Sequence, residues 1–373
     1  MLFDVALQLV ATILFQTFAA GNSLFGDGTS VVEMNALLES RFATTNSTTL
    51  AEWERSLPSE SEKNEIRKLL NFIYSQRTFD SLTGAVVNNY ASLKGIMDVT
   101  ILQNHFCVIH EVIPRKEHQR FPRMWGYTAI ASKDWAQRPI HHSAAHFDSE
   151  GPVCAQAAAL FENTKSRSLV VAGASRYAVK GGHPSDCQNS FQVADAAHNS
   201  RTMFHFVNTM IKDLAEQESG AKEKNSHFFV QWHGMAQSSC VASDVFISAG
   251  IRNSSIYDTD IPAMQLRRSF NCLASVLGMK ASTPREDHDC KLTAGTNVFG
   301  RYVNDVSPNN VCTTPAEEKH VVGKFVHVEQ KEASRENISL WTSVIEDAFI
   351  VGGSSSQLSA VVVISLSVVI VFS

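Results

Sequence analysis

Phe228–Gly234 reads FFVQWHG, an apolar, β-prone run that ends on His233 and a glycine. Two other stretches share its design. Phe325–Gln330, FVHVEQ, ends near Glu329, and the segment 141–150, HHSAAHFDSE, leads up to His146. In an open α/β sheet, ligands bind in the crevice outside the carboxyl ends of the strands. A histidine or carboxylate that closes an apolar run is therefore placed where chemistry happens. Three such islands in one chain predict an α/β domain with its site at the strand ends.

The surrounding pattern agrees. Strand-like runs at 106–113, 168–173, 227–232, 244–248 and 325–328 alternate with helix-like spacing at 154–161, 192–214, 262–277 and 339–349. That alternation predicts a mostly parallel or mixed sheet with helices on both faces. Upstream, 30–95 reads as helical. Ser59 and Glu62 form a capping-box pattern, and Ile66, Leu69, Leu70 and Ile73 follow at helical spacing. The turn-rich stretch 281–319 predicts a long excursion partly tied by disulfides. The chain thus divides into a signal peptide (1–21), an N-terminal helical extension (22–97), an α/β hydrolase-like catalytic domain (98–351) and a small-residue, hydrophobic anchor signal (352–373).

Both ends predict secretion. The first twenty residues are almost wholly apolar and are followed by small residues suited to cleavage. The charge-free tail after Leu358 follows the run Gly352-Gly353-Ser354-Ser355-Ser356, as in a GPI signal, with a C-terminal membrane helix as the alternative. The sequons at Asn46, Asn253 and Asn337 suit a secreted chain. So do seven cysteines without a CxxC pair, which argue against a Cys-ligated structural zinc and allow up to three disulfides. With 373 residues, 44% of them hydrophobic, a sizeable core can be buried. The net charge of -5 argues against a nucleic-acid surface. The one compact basic patch, 115–120, is interrupted by Glu117.

Imidazoles and carboxylates are what a catalytic zinc ion uses, with a position left open for water. The segment 141–150 holds three histidines and two carboxylates. In a strand-to-helix loop, His146 with Asp148 or Glu150 supplies two ligands. Otherwise these are polar loop residues, with an acid capping the next helix. His233 can supply the third, or serve as a hydrogen-bonded structural group. Period-2 alternation puts His327 and Glu329 on one face. Glu329 is then placed to act as general base and later as acid, or to pair with Arg335. Asp195 and His198, three apart on an expected helix, read as a supporting carboxylate–imidazole pair, a substrate contact or a solvent-facing pair. Arg176 and Arg301 are candidates for binding a substrate carboxylate through two hydrogen bonds. There is no G-x-S-x-G elbow, P-loop or G-x-G-x-x-G.

This order of islands resembles zinc-dependent exopeptidase-like hydrolases of the carboxypeptidase type, including N-formylglutamate amidohydrolase and poly-γ-glutamate hydrolase relatives. The likeness spans roughly 138–335. That family's first motif spaces His and Glu by two residues, whereas three stand between His146 and Glu150 and one between His146 and Asp148. The resemblance implies zinc on His146, Glu150 or Asp148, and His233. It implies that Glu329 activates water and that Arg176 or Arg301 holds a substrate carboxylate. The expectation is therefore a cell-surface, membrane-anchored metallohydrolase cleaving an amide or peptide-like bond in a small molecule or peptide-like substrate that carries a carboxylate. A non-enzymatic surface protein on the same scaffold is one alternative. The other is a metal-dependent phosphoesterase that recruits Asp195 and His198.

Overall fold

The computed structural model describes residues 25–350, apart from 27, 117–118, 220–226 and 253. The expected signal peptide, the anchor signal and the sequon at Asn253 lie outside the described residues. Among those described, no helix is long and apolar enough to cross a membrane.

Three capped helices open the described chain: α1 (Val31–Glu39), α2 (Leu50–Ser56) and α3 (Glu60–Ser75). Each starts with a reciprocal box, Ser30 with Glu33, Thr49 with Glu52, and Ser59 with Glu62, so that backbone N–H groups without helical partners are satisfied at both positions. The box at Ser59 is the one expected from the sequence. A mixed sheet follows, built from β1 (Met97–Leu102), β2 (Phe106–Glu111), β3 (Tyr127–Ala131), β4 (Arg138–Ala144), β5 (Ser166–Val171), β6 (Phe228–Gly234), β7 (Val245–Ser248), β8 (Ala281–Ser282) and β9 (Phe325–Gln330). Its nine strands run in the order β1-β2-β3-β5-β4-β6-β9-β7-β8.

The centre of the sheet is parallel: β5, β4, β6 and β9 all run the same way. The chain leaves β4 through α4 (Val153–Asn163) to reach β5 on one side, and returns through α5 (Met203–Ser219) to β6 on the other. The connections lead to opposite sides of the sheet between β4 and β6, the switch point at whose carboxyl ends such a sheet places its site. Alternation along the strands divides the core. Phe228, Val230, Trp232, Val326 and Val328 pack with α1, α4, α6 (Pro262–Leu273) and α9 (Ile338–Ala348) on one face. Phe229 and Phe325 pack with α3 and α5 on the other. The remaining short helices are α7 (Val298–Val303) and α8 (Glu332–Arg335).

One expectation changes. The helix expected over 192–214 begins only at Met203. The residues before it form turns closed by backbone bonds such as His198 N to Asp195 O, so Asp195 and His198 belong to a loop. Upstream of β1, α1 and α3 are parts of the two layers that cover the sheet. The excursion over 281–319 is tied as expected, by Cys187–Cys312 and Cys240–Cys290. Cys107, Cys154 and Cys272 are free thiols. Two disulfides suit an extracellular or secretory-pathway protein.

Candidate metal centre

His146 follows β4, His233 closes β6, and His233 stands directly opposite Glu329 in the β6–β9 ladder. Glu150 lies in the turn between β4 and α4. Its carboxylate reaches both imidazoles, with Oε1 2.8 Å from His146 Nδ1 and Oε2 3.0 Å from His233 Nδ1. Oε2 also accepts the N–H of Gly234 at 3.1 Å. A β-carbon on Gly234 would run into the Glu150 carbonyl oxygen, so glycine is what lets this turn lie against the end of β6.

The hydrogen-bond network fixes which imidazole nitrogens carry protons. Asn297 caps α7 with its side-chain oxygen, which accepts from Gly300 N, so its Nδ2 is the donor toward Gln231 Oε1. Gln231 Oε1 is therefore the acceptor for His233 Nε2 at 2.9 Å, and that nitrogen carries the hydrogen. His146 Nε2 faces Asp195 Oδ1 at 2.9 Å, an oxygen that also accepts Ala197 N–H, so it too is the protonated nitrogen. Both Nδ1 atoms are left as lone pairs turned toward the oxygens of one carboxylate. Acceptors facing acceptors at about 3 Å repel one another unless a proton or a positive charge lies between them. Arg176 Nη2 supplies one, touching Glu150 Oε1 and lying 2.8 Å from His146 Nδ1, while its Nε donates to Ser149 Oγ.

Burial sets the protonation of the site. It pushes His146 and His233 below their ordinary pKa, so both stay neutral and can ligate. For Asp195, burial favours the neutral acid, but the hydrogen bond from His146 and the electrostatic influence of His146, His198 and Arg176 outweigh it and keep the carboxyl ionised. Glu329 is raised to about 7 by burial, an effect that His146 and Arg176 partly oppose. His146, Glu150 and His233 bring ligand atoms within 4.8 Å of one another, so this group could hold a metal ion.

Five residues singled out in the sequence thus share one environment: His146, Glu150, His233, Arg176 and Glu329. Asp195 adds the support suggested for it, from a loop rather than a helix. Asp148 is elsewhere, exposed and bonded to Thr45 N and Oγ1, so the acidic partner of His146 is Glu150. Arg301 donates to the carbonyl oxygens of Gly295, Val311 and Cys312, and its guanidinium is taken up by backbone. His198 stacks on Phe191 with ring centroids 3.4 Å apart, and its Nδ1 lies 3.1 Å from Gln188 Oε1. Burial lowers its pKa to about 4, an effect that the charge of Asp195 partly opposes. Arg335 does not pair with Glu329. Its guanidinium donates to Gln330 O and packs beside Gly151 and Gly234. The sequence reading missed Gln231 and Asn297. Gln231 had left a signal, since a polar side chain two residues before His233 shares its face.

No family model matches the chain, and no curated protein matches it. Among solved structures it is similar to a gene product of Agrobacterium tumefaciens, with 11% identity and a TM-score of 0.31 over 57% of this chain and 88% of that one.

Proposed function

We propose that this chain is a zinc-dependent hydrolase of amide or peptide-like bonds, with the ion held by His146, Glu150 and His233. The supporting observation is the donor set: two neutral imidazoles, each fixed by a hydrogen bond at Nε2, turn their free lone pairs to one carboxylate. Two histidines and a carboxylate are the ligands of a hydrolytic zinc site with an open position. When bound, zinc supplies Lewis acidity, polarising an acyl oxygen and making water more acidic. Asp195 and Gln231 keep the imidazoles oriented. Glu329, buried at the end of the neighbouring strand, takes the proton of the attacking water and returns it to the leaving nitrogen. Arg176 presents a cation at the rim, suited to a substrate carboxylate. The phosphoesterase alternative loses its extra ligand, because Asp195 is spent on His146. We place the protein at the cell surface, carried there by the 1–21 leader and held by the 352–373 tail, in keeping with its disulfides.

The test is metal analysis of the purified ectodomain. Near-stoichiometric zinc is expected in the parent and none in a His146→Ala/His233→Ala variant of unchanged circular dichroism. Equal metal content in the two would overturn the assignment. Hydrolysis of N-acyl amino acids, set against phosphate esters, then decides the bond class.

A further inference from the structure

We infer that the ion has a second seat, formed by His233, His327 and Glu329, and that His233 is the pivot between the two. This rests on the metal reading above for His233 alone. One ligand atom from each of the three residues lies within 4.8 Å of the others, and all three side chains are buried. The rings of His233 and His327 are 4.5 Å apart between centroids. His327 Nε2 stands 3.6 Å from Glu329 Oε1, beyond hydrogen-bond range. Two ligands about 2.0–2.1 Å from one ion are themselves separated by about 3.3–3.6 Å at tetrahedral to trigonal angles. The separation thus suits chelation.

The same two groups lack other commitments. Among the described residues His327 Nδ1 is buried without a hydrogen-bond partner, and Glu329 has His327 as its ion-pair neighbour. At the first seat, by contrast, Arg176 already contacts Glu150 and His146. Because Gln231 holds the proton on His233 Nε2, this histidine has one lone pair to give, at Nδ1. The two seats therefore exclude one another, and the chain binds one ion rather than two. An ion in the second seat also occupies Glu329, so that seat is incompatible with the carboxylate's role as proton acceptor.

Co²⁺ titration of the metal-free ectodomain, followed by equilibrium dialysis and visible absorption, tests this. The parent should bind one equivalent. His146→Ala and Glu150→Gln should each retain one equivalent with a shifted visible spectrum, whereas His146→Ala/His327→Ala should bind none. If His146→Ala and Glu150→Gln lose all Co²⁺ while His327→Ala keeps it unchanged, the second seat is overturned and the first stands. If His327→Ala alone abolishes binding, the second seat holds and the first assignment falls. Two equivalents in the parent would overturn the pivot.

Discussion

At the scale of single residues, the proposed mechanism separates groups that would touch reacting atoms from groups that hold them. Glu329 is proposed for the first kind. Glu329→Gln keeps the shape and removes the proton acceptor, so kcat should fall about 10²–10⁴-fold while bound zinc stays near one equivalent. A matching loss of metal would show that its role is ligation. Asp195 belongs to the second kind, since it bonds the remote nitrogen of His146. Asp195→Asn should weaken metal affinity about 10–100-fold, measured by competition with a chelator. Unchanged affinity would remove it from the site's support.

At the scale of elements, strands bring the ligands to one end of the sheet and one turn closes them together. The turn carrying Glu150 lies against the last residue of β6, with no room for a β-carbon at Gly234. Gly234→Ala should push the Glu150 backbone away and shift the visible spectrum of bound Co²⁺ as Glu150→Gln does, with the far-ultraviolet circular dichroism of the sheet retained. An unchanged spectrum in that variant would mean that the turn yields without cost. The order of strand, His-plus-acid loop and helix was legible because apolar runs and their polar ends are local in sequence. The choice between Asp148 and Glu150 was not. It depends on Thr45, a residue far upstream in the chain that binds Asp148. The surroundings of Arg301 were not legible for a similar reason, since its carbonyl partners come from the turns at Gly295 and Val311–Cys312.

At the scale of the whole molecule, stability depends on the excursion that carries Asn297 and on buried charge. The disulfides Cys187–Cys312 and Cys240–Cys290 span 125 and 50 residues. Loop entropy assigns each about 4–5 kcal/mol. Reduction should therefore lower the unfolding midpoint and loosen the Asn297–Gln231 support of His233. Thermal scans with and without reductant, paired with metal analysis, test both effects. A second control is pH. Burial raises Glu111 to about 7, although it accepts the N–H groups of Arg123 and Trp125. Its folded pKa exceeds its unfolded value of 4.5. The folded state therefore binds the extra proton, and the stabilisation is complete below about 4.5 and lost as pH rises through 7. Glu111 by itself contributes a loss of up to about 3 kcal/mol across that window, so the stability difference between the parent and Glu111→Gln should shift against the parent from pH 5 to pH 8 in denaturant unfolding. A difference that does not change with pH would reject the assignment.

The sequence by itself determined the layered α/β class, the capped helix at Ser59, the strands that end in His233 and Glu329, and the shared face of His327 and Glu329. Each of these follows from periodicity, which acts over a few residues. The tertiary structure decided which acid faces His146, which nitrogens keep their lone pairs and where Arg176 rests. Those outcomes depend on Gln231, Asn297 and Asp195, which come from separate segments of the chain. Hydrogen-bond direction between such segments exists only once the chain has closed on itself, so no local pattern encodes it.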